Sequence, residues 1–128
     1  MAVAFLKTIP RLCILDVERA KEFYAGFLGF SVDGEHHSED DAPAYLQESR
    51  AGLVLHLTEH HGDCCPGSTV FVWMTGIEEF HQQLSAKNYK YLRPGLETTF
   101  YDAKCVEVID PFGNRIRFNE DLKPGKAT

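Results

Sequence analysis

The sequence predicts an α+β fold: two βαβββ modules forming a curved mixed sheet, with helices on the outer face. Three observations carry that prediction. Hydrophobic spacing switches between the two-residue period of strands and the helical period, in the order βαβββ and then in that order again. The spacing inside the halves repeats, with Phe30 fifteen residues after Leu15 and Tyr89 fifteen after Met74. A turn precedes the last strand of each half, at Ser49-Arg50-Ala51-Gly52 and at Asp110-Pro111-Phe112-Gly113. Module one covers about residues 6–60 and module two about 68–120, within a single domain of residues 1–128.

Thr8 to Leu15 reads as the first strand. Asp16 is placed to cap a helix, because a short carboxylate can accept from the unsatisfied N–H groups of a first turn. Val17, Ala20, Phe23, Tyr24, Phe27 and Leu28 then recur at helical spacing, and Gly29 supplies the stop. Phe30 to Glu35 is a strand and His36 to Pro43 an acidic loop. Ala44 to Ser49 and Leu53 to Glu59 are strands around Ala51-Gly52, and His60 to Gly67 is a loop. In the second half Thr69 to Met74 is a strand. Thr75 and Glu78 have the spacing of a capping box, and Ile77, Phe80 and Leu84 mark a helix ending near Asn88. Tyr89 to Leu92, Lys104 to Ile109 and Arg115 to Asn119 complete the strands.

Composition narrows the function. With 13 Lys+Arg against 19 Asp+Glu the net charge is −6, which disfavours binding to the phosphates of nucleic acid and suits a neutral or cationic ligand. No apolar run approaches the ~20 residues of a membrane span. The apolar start, Met1 to Leu6, is stopped by Lys7, Pro10 and Arg11 and has no export-signal pattern, so a cytoplasmic location is expected. Cys13, Cys64, Cys65 and Cys105 are read as free thiols in a reducing compartment. No P-loop, dinucleotide fingerprint or nucleophile elbow is present.

Strand parity separates two faces. Leu53, Leu55 and Leu57 oppose Val54, His56 and Thr58; Val70, Val72 and Met74 oppose Thr69, Phe71 and Trp73; Ile116 and Phe118 oppose Arg115, Arg117 and Asn119. The aliphatic face needs the two helices as cover. The other face collects aromatic rings, His, Arg and hydroxyls, the lining expected of a ligand cleft.

These residues resemble the vicinal oxygen chelate superfamily, which includes glyoxalase I, extradiol dioxygenases, fosfomycin resistance enzymes and bleomycin resistance proteins. The resemblance rests on the paired modules, on Asp16, Val17, Ala20, Phe23 and Tyr24 opening the first helix, on Leu28-Gly29-Phe30, and on Asp110-Pro111 with Gly113-Asn114. It runs from about Ile9 to Glu120. It implies a divalent metal held at four sheet positions, which here are Pro10, His56, Thr69 and Arg117. Pro10 has no ligand atom, Thr69 is a poor ligand and Arg117 is a fixed cation, so no metal and no cofactor is expected.

An absent metal is similar to the bleomycin resistance branch, which implies a binding protein that sequesters a cationic or flat aromatic antibiotic. The resemblance puts Tyr101 in place of a ligand-stacking Trp, Lys104 in place of an Arg, and Thr58 at a groove hydroxyl. The expected ligand contacts are therefore His56, Thr58, Phe71, Trp73, Tyr101, Lys104 and Arg117, with no catalytic residue. His56 is either such a contact or a satisfied polar group bonded to Arg117 or a hydroxyl. Arg117 needs an anion, for which Glu48, Glu107 or a ligand carboxylate are candidates. The loop His60 to Cys65 has metal-binding atom types but the spacing of no common zinc site. The resemblance also implies a homodimer in which Met1 to Leu6 exchanges between subunits, with no nucleic-acid or membrane partner. The competing readings are a glyoxalase-type metal-dependent lyase or isomerase, and an accessory protein for an unknown ligand.

Overall fold

A computed structural model describes residues 2–37, 39 and 42–123. Ser38, Asp40 and Asp41, the heart of the expected acidic loop, lie outside the described residues. Two compact units, Met1–Pro66 and Gly67–Thr128, each hold one module. Each has its own four-stranded mixed sheet where one curved sheet was expected.

In the first unit the strands are β1 (Arg11–Cys13), β2 (Ser31–His37), β3 (Ala44–Arg50) and β4 (Leu53–Thr58), in the order β1-β4-β3-β2. Only β1 and β4 run parallel. Helix α1 (Val17–Lys21) starts at Asp16, whose carboxylate accepts from the Arg19 N–H at 3.2 Å. The expected regular helix does not continue: Glu22–Phe27 forms a π-helical turn, closed by Leu28 N–H to the Phe23 carbonyl at 2.9 Å. The wider turn lets the consecutive rings of Phe23 and Tyr24 both point inward, 1% and 0% exposed, in edge-to-face contact. Gly29 ends the helix at φ +78°, and a Cβ there would come within 3.1 Å of Arg50 Nη1. That guanidinium donates to the Leu28 carbonyl at 2.6 Å. Leu12, Leu46, Leu55 and Leu57 form the buried side of the sheet.

The thiol expectation is corrected here, because Cys13 and Cys64 are joined in a disulfide, with Cα atoms 5.6 Å apart. Sequence separation of 51 residues hides such a pairing from local reading.

In the second unit the order is β5-β8-β7-β6, from β5 (Thr69–Trp73), β6 (Glu97–Thr98), β7 (Ala103–Ile109) and β8 (Arg115–Asp121), with β5 and β8 parallel. Helix α2 spans Ile77–Ala86. Thr75 does not cap it; Gly76, at φ +78°, occupies the cap, and the Glu120 carboxylate on β8 accepts from Ile77 N–H at 2.9 Å. The expected strand Tyr89 to Leu92 is also absent. Asn88 takes a positive φ of 48°, the chain passes Pro94, and only then does β6 pair with Lys104 and Cys105. Phe80 and Phe118 meet at 4.8 Å between α2 and β8, so Val106, Val108, Ile116 and Phe118 are the buried side.

The Asp110 turn is a closed polar network. One Asp110 oxygen accepts from Phe112 and Asn114 N–H, the other from the Asn114 amide, and the Asn114 oxygen accepts from Gly67 and Ser68 N–H, all within 3.2 Å. Asp110→Ala strands buried donors and is expected to cost about 3 kcal/mol, read by urea unfolding. A loss below about 1 kcal/mol would mean that water replaces the carboxylate. Among the described residues no helix is long and apolar enough to cross a membrane.

Candidate functional site

In the second unit, the sheet face away from α2 carries the aromatic residues. Thr69, Phe71 and Trp73 pair in parallel register with Arg115, Arg117 and Asn119, so strand pleating puts them on one side. Phe71 and Trp73 are 48% and 39% exposed, open enough to meet a ligand. Their rings lie 5.0 Å apart, and Tyr101 completes the group at 6.0 Å from Phe71 and 6.3 Å from Trp73. The Tyr101 hydroxyl donates to the buried Asn119 amide oxygen, which fixes the ring. Phe100, next to it, is 98% exposed and packs edge-on against the Tyr101 ring, with centroids 5.1 Å apart.

Arg117 lies on this face, bound to Glu107 at 2.7 Å and within 3.7 Å of Glu97. Of its candidate anions Glu107 is therefore the partner, while Glu48 belongs to the buried side of the first unit. The adjacent Tyr101 hydroxyl raises the affinity of the guanidinium for its proton, and it remains a fixed cation. Arg115 shares Glu107 at 2.9 Å, so two arginines meet two glutamates and the face has little net local charge. Burial pushes the Cys105 thiol up, which leaves it protonated rather than nucleophilic. Lys104 is not part of this face. Like Val106 and Val108 it points to the helix side, where it pairs with Glu78 at the start of α2.

In the first unit, His56 is satisfied on both ring nitrogens. Nδ1 bonds the Tyr45 hydroxyl at 2.7 Å and Nε2 the Gln47 amide oxygen at 3.1 Å, so the hydroxyl alternative describes it. Arg11 sits 5.6 Å from the Tyr45 ring centre. Thr58 has the expected parity but is 0% exposed: its hydroxyl donates to Asp63 at 2.8 Å and accepts from His60 N–H at 3.0 Å. The seven sequence candidates thus fall into a ring cluster with Arg117, a bonded His56, a covered Thr58 and a Lys104 on the opposite side.

A family model described as glyoxalase superfamily protein matches residues 1–125. The chain belongs to the glyoxalase superfamily. It is 26% identical to the bleomycin resistance protein of Geobacillus stearothermophilus, over 92% of this chain and 98% of that relative. Two solved structures share the glyoxalase-superfamily fold. A bleomycin resistance determinant encoded on the transposon Tn5 matches at TM-score 0.69, 20% identity, 93% of this chain and 100% of that one. The bleomycin-binding protein of Streptomyces verticillus, complexed with copper(II)-bleomycin, matches at TM-score 0.68, 22% identity, 91% and 97%.

The divalent metal that this superfamily implies does not fit the residues present. His56 is held at both nitrogens, Arg117 is a cation in an ion pair, Pro10 offers only its carbonyl, which accepts from His56 N–H at 3.0 Å, and Thr69 is a neutral hydroxyl. Among the described residues no cluster of three His, Cys, Asp or Glu side chains could hold an ion. In the His60 to Cys65 loop, Cys64 is in the disulfide and Asp63 holds Thr58.

Proposed function

We propose that this glyoxalase-superfamily chain is a metal-free binding protein that sequesters a bleomycin-type antibiotic. The observation that carries the reading is the Phe71, Trp73 and Tyr101 cluster, three exposed or half-buried rings on one sheet face. A flat heteroaromatic group stacks on such rings, and the net charge of −6 attracts a cationic ligand. The relatives named bleomycin resistance proteins support the choice of ligand. Sequestration requires only ground-state affinity, so no general base, nucleophile or metal takes part.

Trp73 is the only tryptophan, so its fluorescence reports the proposed site directly. Titration with metal-free bleomycin is expected to change that fluorescence with saturable, one-to-one heat in a calorimeter. Silence in both signals at low and moderate salt would reject the antibiotic. Metal analysis with a methylglyoxal–glutathione assay tests the competing enzyme: bound stoichiometric metal, or chelator-sensitive turnover, would replace this reading. A cytoplasmic location, as expected from the sequence, is part of this proposal. The exposed arm residues Val3, Phe5 and Leu6, 84–98% exposed, support a homodimer, which light scattering would read as twice the 14.5 kDa chain mass.

A further inference from the structure

We propose that the Cys13–Cys64 disulfide is a reversible redox clasp that holds the loop after β4 over Thr58. Cys13 ends β1 and stands in register with Thr58 on β4. Its sulfur is bonded to Cys64 in the loop that follows β4. Asp63 and His60, which hydrogen-bond the Thr58 hydroxyl, belong to this same loop, and Thr58 is wholly buried. The loop itself is open to solvent: His61, Gly62, Asp63, Cys65 and Pro66 are exposed. It therefore has a covalent anchor and a few polar contacts in place of an apolar base, which is how a segment with a low opening free energy is built. The ring of His60 lies 6.4 Å from that of Tyr45, beside His56, so the clasp governs access to the polar face of the first unit.

The chemistry is thiol–disulfide exchange with a small dithiol. Cys64 is half-buried while Cys13 is 8% exposed, so the reductant thiolate reaches Cys64 Sγ first. The S–S bond breaks, Cys13 leaves as a thiolate and takes a proton. The second reductant thiol then displaces Cys64 from the mixed disulfide. Two electrons and two protons pass to the protein, and the reductant leaves as its own disulfide. A low-molecular-weight disulfide reverses the sequence. A disulfide exposed to such reductants in a thiol-rich compartment behaves as a regulatory bond rather than a permanent strut.

The test uses the full chain, oxidised and after incubation with dithiothreitol. Alkylation followed by mass spectrometry is expected to label Cys13 and Cys64 only after reduction, under conditions where the fold persists. Hydrogen exchange at the His60 amide, which donates to Thr58, is expected to accelerate about tenfold or more on reduction, while Leu55 and Leu57 in β4 keep their protection. Cys13→Ser and, separately, Cys64→Ser should match the reduced wild type whatever the redox state. The proposal is overturned if both thiols are alkylated before reduction, if the bond yields only on global unfolding, or if exchange in the loop does not respond. Reduced wild-type protein keeps the test valid should a serine variant fail to fold. Antibiotic titration is separate, so loss of the binding reading leaves the clasp standing, and the reverse holds.

Discussion

Glu48→Gln is expected to stabilise the protein by about 2 kcal/mol near pH 8 and to change it little near pH 4.5. Glu48 lies on β3, opposite Leu55 of β4 and Val32 of β2, on the buried side of the first sheet. It is 0% exposed, and among the described residues neither carboxylate oxygen has a hydrogen-bond partner. Burial without a partner penalises the ionised form and pushes the carboxyl from an ordinary 4.5 up to about 7. Lys21 on α1 pulls the other way, but its ammonium is bonded to Glu35 at 2.6 Å; Asp33 on β2 adds to the rise.

The direction with pH follows from the two protonation midpoints. Below about pH 4.5 both folded and unfolded chains hold the proton, and stability from this group is complete. Between about 4.5 and 7 the unfolded chain ionises while the folded one does not, so stability falls as pH rises. Above about 7 the loss is complete, at about 3 kcal/mol. Gln removes the ionisation but keeps an unpartnered amide in the core, hence the smaller gain. Glu48→Leu removes both and should be more stable still. His37, whose affinity for its proton is raised by its bond to Glu35, weakens the fold in the same direction as pH rises, but it is present in both proteins and cancels in their difference. Urea unfolding at several pH values decides the matter: parallel profiles for wild type and Glu48→Gln would show that the carboxylate is solvated in the native state.

Trp73→Ala is expected to weaken bleomycin binding by about thirtyfold, equivalent to about 2 kcal/mol, with little change in stability. The indole is half-exposed, so its removal leaves no core cavity, but it takes away the largest stacking surface of the cluster. Trp73→Phe should recover most of the affinity. Tyr101→Ala should also weaken binding, because the ring that Asn119 fixes is lost, whereas Tyr101→Phe isolates the hydroxyl. Calorimetry is the appropriate readout, since the first variant has no tryptophan. Unchanged affinity in Trp73→Ala would move the ligand away from this face.

The parity of short strands was enough to place Phe71, Trp73, Arg117 and Asn119 on one side, because pleating alternates side chains whatever lies beyond the strand. The same rule also applied to Lys104, which shares the parity of Val106 and Val108 and faces α2 with them; motif position in a family was the weaker guide. Tyr101 was named through family position, and its bond to Asn119 could not be read from a loop residue's place in the chain. Parity placed Thr58 on the correct face yet could not foresee its burial, since the covering loop is held by Asp63 and by a disulfide to β1.

By itself, then, the sequence determined the repeated βαβββ order, the two faces of each sheet, the Asp16 cap and the glycine stop, all of which depend on neighbours a few residues apart. Tertiary structure decided the rest. It chose Gly76 and Glu120 over Thr75 at α2, replaced a strand at Tyr89 with one at Glu97, widened the first helix around Phe23 and Tyr24, and joined Cys13 to Cys64. Each of those outcomes depends on which groups meet across tens of residues, where burial and hydrogen-bond satisfaction outweigh local preference.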